Sequence, residues 1–245
     1  MSLVFSPPVI AHRGASAYAP ENTMAAFVKA VQLGIKWIEF DVMATVNGEP
    51  IIFHDETLDR TTNAQGEVHH HSYAYLQTLD AGAWYQPFFS GEKIPTLQQV
   101  LQFMREMKIA ANIEIKAWPG QEERLVKRIL QEIKPYFSLA DTQLLFSSFS
   151  LDALYFLRQY SSECHIGLLL HEWEPNWQAV CESLQCVSLH VNHEIMSANT
   201  AALIKNMGKS LLCYTVNEIE RARELYAWGV DAVFSDMPDK MGEVF

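Results

Sequence analysis

The chain is 245 residues long, with 18 Lys and Arg against 29 Asp and Glu, a formal charge of −11 with histidine neutral. With no basic run, that balance excludes a binder of nucleic acid or of an anionic membrane surface, both of which are held by clustered Lys and Arg. A hydrophobic share of 49% excludes a disordered chain, and no apolar run approaches the roughly 20 residues that would insert across a membrane.

Met1 to Pro8 carries neither the charged nor the apolar region of an export signal, so the chain reads as soluble and cytoplasmic. From there, strand-length apolar runs alternate with stripes at the i, i+3, i+4 spacing of a buried helix face. Val9–Arg13 precedes the stripe Met24, Phe27, Val28, Val31, and Trp37–Thr45 precedes a return strand, Glu49–His54. After an irregular stretch come Leu97, Val100, Leu101 and Met104, the strand Ala111–Lys116, and the stripe Leu125, Ile129, Ile133. Strand Thr142–Phe149 leads to a helix Leu151–Tyr160 headed by Ser150, and strands His165–His171 and Ser188–Asn192 follow. The last stripes, Leu203, Ile204, Met207 and Ile219, Ala222, Leu225, Tyr226, flank strand Ser210–Val216 and precede Ala232–Ser235. Thr96 with Gln99, and Asn217 with Glu220, have capping-box spacing, while Gly34 and Gly229 stand where helices close.

Eight strands alternating with helices predict an α/β fold, a (β/α)8 barrel, as a single domain over residues 1–245. Between Asp55 and Pro95 the helical rhythm stops, and Trp84, Tyr85, Phe88 and Phe89 cluster there; this stretch is expected to be a cap inserted after the second-strand hairpin. Within it, His69, His70 and His71 read as a solvated turn, with a metal role the lesser alternative. Cys164, Cys181, Cys186 and Cys213 lack metal-ligand spacing and read as buried free thiols of a reducing cytosol.

Strands of a parallel barrel are covered on both faces and should be almost wholly apolar. Three of these are not. Glu39 and Asp41 alternate with Ile38, Phe40 and Val42; Asn112, Glu114 and Lys116 alternate with Ile113 and Ile115; His12 closes an otherwise apolar strand. An antiparallel sheet with one wet face would tolerate that pattern, but the intervening helices imply parallel strands. Three carboxylates at a barrel mouth then need a cation, and oxygen-only ligation suits Mg2+ or Ca2+. Asn47-Gly48 is a favoured two-residue turn, which would pair residues whose numbers sum to 95 and bring His54 opposite Asp41. Two histidines, three carboxylates, Arg13 and Lys116 at one mouth suit hydrolysis of a phosphate ester.

The blocks His12-Arg13-Gly14, Ala19-Pro20-Glu21-Asn22-Thr23, Ile38-Glu39-Phe40-Asp41-Val42, His54 to Thr62 and Asn112-Ile113-Glu114-Ile115-Lys116 closely resemble the signatures of the glycerophosphodiester phosphodiesterases. The likeness continues through Ala81-Gly82-Ala83-Trp84 and Ile94-Pro95-Thr96-Leu97 to Tyr214-Thr215-Val216-Asn217, in order over almost the whole chain. Tyr214, where many members have Trp, and Ser235-Asp236, where many have Thr-Asp, depart from it mildly. The resemblance implies that Glu39, Asp41 and Glu114 bind one divalent cation, His12 and His54 act as base and acid, and Arg13 and Lys116 hold the phosphate. It implies release of glycerol 3-phosphate and an alcohol such as choline or ethanolamine from a small-molecule diester. Cleavage of a lysophospholipid headgroup, and non-catalytic binding of phosphorylated metabolites, are the alternative readings. His171, His190 and His193 fall near later strand ends and are expected to make core or surface hydrogen bonds.

Overall fold

The computed structural model describes residues 3–242 and Val244. Strand β1 (Val9–Ala11) leads to helix α1 (Met24–Gln32), and β2 (Trp37–Ala44) turns back into β3 (Pro50–Ile52). A short helix, α2 (Tyr73–Leu76), lies in the irregular stretch before α3 (Leu97–Met107). The chain then alternates through β4 (Ala110–Ile115), α4 (Glu122–Ile133), β5 (Leu144–Ser148), α5 (Leu151–Tyr160), β6 (Ile166–Leu170) and α6 (Trp177–Ser183). It ends with β7 (Ser188–Asn192), α7 (Ala198–Asn206), β8 (Ser210–Tyr214), α8 (Ile219–Ala227), β9 (Ala232–Ser235) and α9 (Pro238–Gly242). Among the described residues, eight strands pair in parallel and β1 meets both β2 and β9, which closes a (β/α)8 barrel as the alternation predicts; β3 is antiparallel on β2.

Period-two alternation sorts the strand residues between two cores. Ile38, Phe40 and Val42 of β2, and Ile113 and Ile115 of β4, pack outward against the helices. Trp37, Ala110, Ile10, Leu145, Leu212 and Phe234 form a separate apolar cluster, which Leu3 and Phe5 join. Two residues above Trp37 on the same face stands Glu39, and two above that Asp41; Asn112 and Glu114 repeat this above Ala110. The interior is therefore apolar below and acidic above.

Helix ends follow local chemistry, with two corrections to the sequence reading. Thr96 and Gln99 make the expected capping box, and the Ser150 side chain accepts from Ala153 N. Helix α8 instead starts after Glu218 without a side-chain cap, because the Asn217 side chain turns away to Ser235 and Asp236. Val28 and Leu203, assigned to buried stripes, are exposed.

The hairpin also differs from expectation. Val42 pairs with Ile52, Met43 with Ile51 and Ala44 with Pro50, so paired numbers sum to 94 and Phe53, not His54, follows Asp41. The reason is a three-residue loop, Val46-Asn47-Gly48, in which Thr45 N donates to Glu49 O and Gly48 takes a left-handed φ of 88°. Beyond it, residues 55–95 hold an apolar cluster of Leu58, Val68, Leu76, Leu79, Ala81 and Ile94, continuous with Met43, Ile51 and Phe53 of the hairpin.

Candidate active site

A cavity of about 220 Å3 opens at the carboxyl ends of the strands, lined by His12, Arg13, Glu39, His54, Asn112, Glu114 and Lys116 on its polar side. Phe149, Leu169, Tyr214 and Phe234 form an apolar wall. Asp41 lies just behind, 1% exposed, where Asn22 Nδ2 donates to it at 2.8 Å and Arg13 Nε and Lys116 Nζ approach to 3.5 and 3.9 Å. All seven residues singled out in the sequence thus converge. His54 arrives despite the shifted register, because the chain leaves the ladder after Phe53 and alternation no longer governs its side chain.

The first turn is held by backbone strain. Arg13 has a left-handed φ of 54°, which points its N–H at Glu39 Oε2, 2.7 Å away. A non-glycine residue there costs about 1–3 kcal/mol, a feature found where site geometry must be exact. Asn22, also left-handed, donates its own N–H to Arg13 O and grips Asp41 through both its amide and that residue's backbone N–H. Thr23 meanwhile caps α1.

Both histidines are oriented by carboxylates that sequence reasoning left without a role. His12 Nδ1 lies 2.7 Å from Asp236 Oδ1, and Asp236 also accepts from Ser16 Oγ and Asn217 Nδ2. Burial opposes the Asp236 charge, but these bonds hold its pKa down at about 2. His54 Nδ1 lies 2.6 Å from Asp55 Oδ1. Although partial burial works to raise it, Arg60 and His54 hold the Asp55 carboxyl well below the usual range. Arg60 forks between Asp55 and Glu21, and Glu21 accepts from Arg13 as well, so an ion-pair chain joins the start of the 55–95 segment to the first turn. Burial lowers the His54 pKa, helped by Arg13 and Lys116 and opposed by Asp41 and Asp55. The signal for Asp236 was available: an acid just beyond a strand's carboxyl end in a barrel.

Oxygen atoms of Glu39, Asp41 and Glu114 lie within 4.8 Å of one another. Burial, with Asp41 and Glu114 beside it, pushes Glu39 well up; burial and Asp41 push Glu114 up to about 8. Asp41 stays low against its own burial because Arg13, His54 and Lys116 surround it. Glu39 and Glu114 need a cation to be charged together with Asp41, and the donors fit a hard divalent ion. Asn112 Oδ1, buried without a hydrogen-bond partner and opposite Glu39 in register, offers a further oxygen.

Of the later histidines, His190 is fully buried in the barrel, bonded to Ser188 Oγ and packed on Phe234, and burial pushes its pKa down to about 3. His171 lies away from the acidic cavity, on an adjoining one with Phe149 and Trp177.

Barrel and mouth together define the class: a (β/α)8-barrel hydrolase with an acid- and histidine-lined mouth. Residues 12–240 match the Glycerophosphoryl diester phosphodiesterase family, and the chain belongs to it. A glycerophosphodiester phosphodiesterase of Caldanaerobacter subterraneus subsp. tengcongensis is 36% identical over 239 residues, covering 95% of each chain. Another from Bacillus subtilis is 32% identical over 251 residues, 96% of this chain and 85% of that one. The fold matches that of an Oleispira antarctica phosphodiesterase, solved with the product sn-glycerol-3-phosphate, with a TM-score of 0.94 and 38% identity over 97% of this chain and 96% of that one.

Proposed function

We propose that the enzyme hydrolyses small glycerophosphodiesters, such as glycerophosphocholine or glycerophosphoethanolamine, to glycerol 3-phosphate and the alcohol, using Mg2+ or Ca2+. The observation that carries this reading is a single cavity lined by two carboxylate-oriented histidines and two cations beside three clustered acids. The product named with the Oleispira antarctica relative supports it.

Arg13 and Lys116 bind and neutralise the phosphate oxygens. His12, its Nδ1 held by Asp236, takes the proton of the attacking hydroxyl: when the glycerol supplies it, loss of the alcohol leaves a cyclic phosphate that a water molecule then opens to glycerol 3-phosphate, and when water supplies it the monoester forms directly. His54, held by Asp55, delivers a proton to the leaving alkoxide. Glu39, Asp41 and Glu114 would hold the cation, with Asn112 adjacent; when bound it supplies charge neutralisation at the phosphoryl oxygens. Residues 55–95 act as a cap, tied to the barrel by the Arg60 pairs and by Tyr85 OH donating to Ala17 O at 2.5 Å.

Release of glycerol 3-phosphate, followed by a coupled assay across glycerophosphodiesters with and without Mg2+ or Ca2+, tests the reading. His12→Ala and His54→Ala should each lose roughly a hundredfold or more in kcat. A bell-shaped pH–rate curve with both limbs intact in either variant would overturn the acid–base roles. Activity undiminished after exhaustive chelation would overturn the metal role. A second reading, cleavage of lysophospholipid headgroups, is favoured by Phe88, 86% exposed on the 55–95 segment with its ring against Phe89. Turnover of glycerophosphocholine against its lyso-lipid counterpart separates the two.

Among the described residues, no helix is long and apolar enough to cross a membrane. A cytoplasmic location is supported by four cysteines that are all buried and free, as a reducing compartment keeps them.

A further inference from the structure

His69 and His70 lie outside the barrel mouth, and the proposed reaction does not use them. Both belong to one 3₁₀ turn, Val68–His70, in which three residues per turn splay neighbouring side chains by about 120°. Here both imidazoles instead come round to one carboxylate. His69 Nδ1 lies 3.4 Å and His70 Nε2 3.8 Å from the same oxygen, Glu67 Oε2, and the rings are 4.1 Å apart. The three donor atoms fall within 4.8 Å of one another.

The frame beneath them is fixed. Val68 is fully buried and its N–H donates to Glu56 O at 2.9 Å, Glu67 bridges to Thr57, and Val46 N donates to His71 O. The His69 ring packs on Trp118, with centroids 4.2 Å apart. His69 Nδ1 is closed off from solvent yet makes no hydrogen bond, an unfavourable state for a ring nitrogen unless a ligand satisfies it. At 3.4 Å its contact with Glu67 is too long for a charge-assisted hydrogen bond.

The spacing fits a metal better than a proton. A tetrahedral centre with bonds of about 2.0–2.2 Å holds its donors roughly 3.3 Å apart. The His69–Glu67 pair already has that separation, and His70, 64% exposed, has the freedom to close the remaining gap. Two imidazoles and one carboxylate are the protein donors of many zinc centres, and are softer than the all-oxygen mouth.

We propose that Glu67, His69 and His70 form a second metal site that takes one Zn2+, with water as the fourth ligand. It is independent of the carboxylate cluster and of the reaction read from it. The test uses metal-free full-length protein with Mg2+ in excess, so that the oxygen site is occupied, and titrates Co2+ as a visible probe. One equivalent should develop tetrahedral d–d absorption, and stoichiometric Zn2+ should displace it. His70→Ala and Glu67→Gln, both at exposed positions, should each weaken Co2+ and Zn2+ binding at least tenfold while leaving Mg2+-supported turnover unchanged. The proposal is overturned if no d–d bands develop, if they persist undiminished in both variants, or if they vanish in Glu114→Gln instead.

Discussion

His12 is held by a carboxylate 224 positions further along the chain, Asp236, at 2.7 Å. With Nδ1 engaged there, Nε2 is the nitrogen left for chemistry in the cavity. Asp236→Asn keeps the shape and removes the charge, so kcat should fall at least about tenfold with little change in KM, and the acidic limb of the pH–rate profile, which reports the general base, should move. Asn217→Ala, which removes one bond to the Asp236 carboxylate and one from the Asp236 backbone N–H but keeps the carboxylate, should move kcat less; equal losses in the two variants would mean that packing, not orientation of the imidazole, is what Asp236 supplies. A similar logic applies to Arg60, which forks between Asp55 and Glu21. An exposed ion pair is worth about 0–1 kcal/mol, so Arg60→Ala, which removes two of them, should lower unfolding stability by no more than about 2 kcal/mol. Its effect should appear in kcat/KM, because it frees Asp55 beside His54 and Glu21 beside Arg13 together.

Elements impose their own constraints, visible at two glycines. Gly48 closes the β2–β3 loop with φ 88°, a conformation that a β-branched side chain resists. Gly48→Val should destabilise the fold by more than about 1 kcal/mol in urea unfolding. It should also lower activity, since the loop anchors the hairpin whose return strand leads into His54. On β6, Gly167 faces the imidazole of His190 on β7: a Cβ there would lie 2.3 Å from Nε2. Gly167→Ala should therefore cost roughly 1–3 kcal/mol by overpacking. In a His190→Ala background that penalty should shrink, a coupling that a double-mutant cycle measures directly.

At the scale of the whole molecule, the −11 charge concerns solubility and partners more than the site. Glu39, Asp41 and Glu114 cluster beside Arg13 and Lys116, so a divalent ion bound there would offset the excess of acid within that group of five. A buried histidine contributes to the loss of stability in acid. His190 has a folded pKa of about 3, against about 6.5 in an unfolded chain. Below pH 6.5 the unfolded state therefore takes up a proton that the folded state refuses, and stability falls as pH drops toward 3. The slope from this one residue reaches about 1.4 kcal/mol per pH unit. Between pH 6.5 and 5 the wild type should lose about 1.6 kcal/mol more than His190→Gln, measured by urea unfolding at each pH; equal losses would mean that His190 does not titrate this way.

The barrel itself was legible without coordinates, because burial on both faces forces strands into apolar runs and helices into stripes. For the same reason Glu39, Asp41 and Glu114 stood out: a charged residue on such a strand violates the pattern, and alternation alone puts each on the inner face. What sequence reasoning could not supply were facts carried by non-local geometry. Loop conformation, not strand composition, chose a three-residue turn over Asn47-Gly48 and shifted the hairpin register by one. Asn217 has the spacing of a cap, yet its amide binds Ser235 and Asp236, which only the pairing of β8 with β9 brings near. His69, His70 and Glu67 are close in sequence, but neighbours in a turn ordinarily diverge. Local chemistry and periodicity thus determined the elements and the inner face of the acids, while long-range packing decided which side chains meet there, because contacts across hundreds of residues leave no periodic trace in the chain.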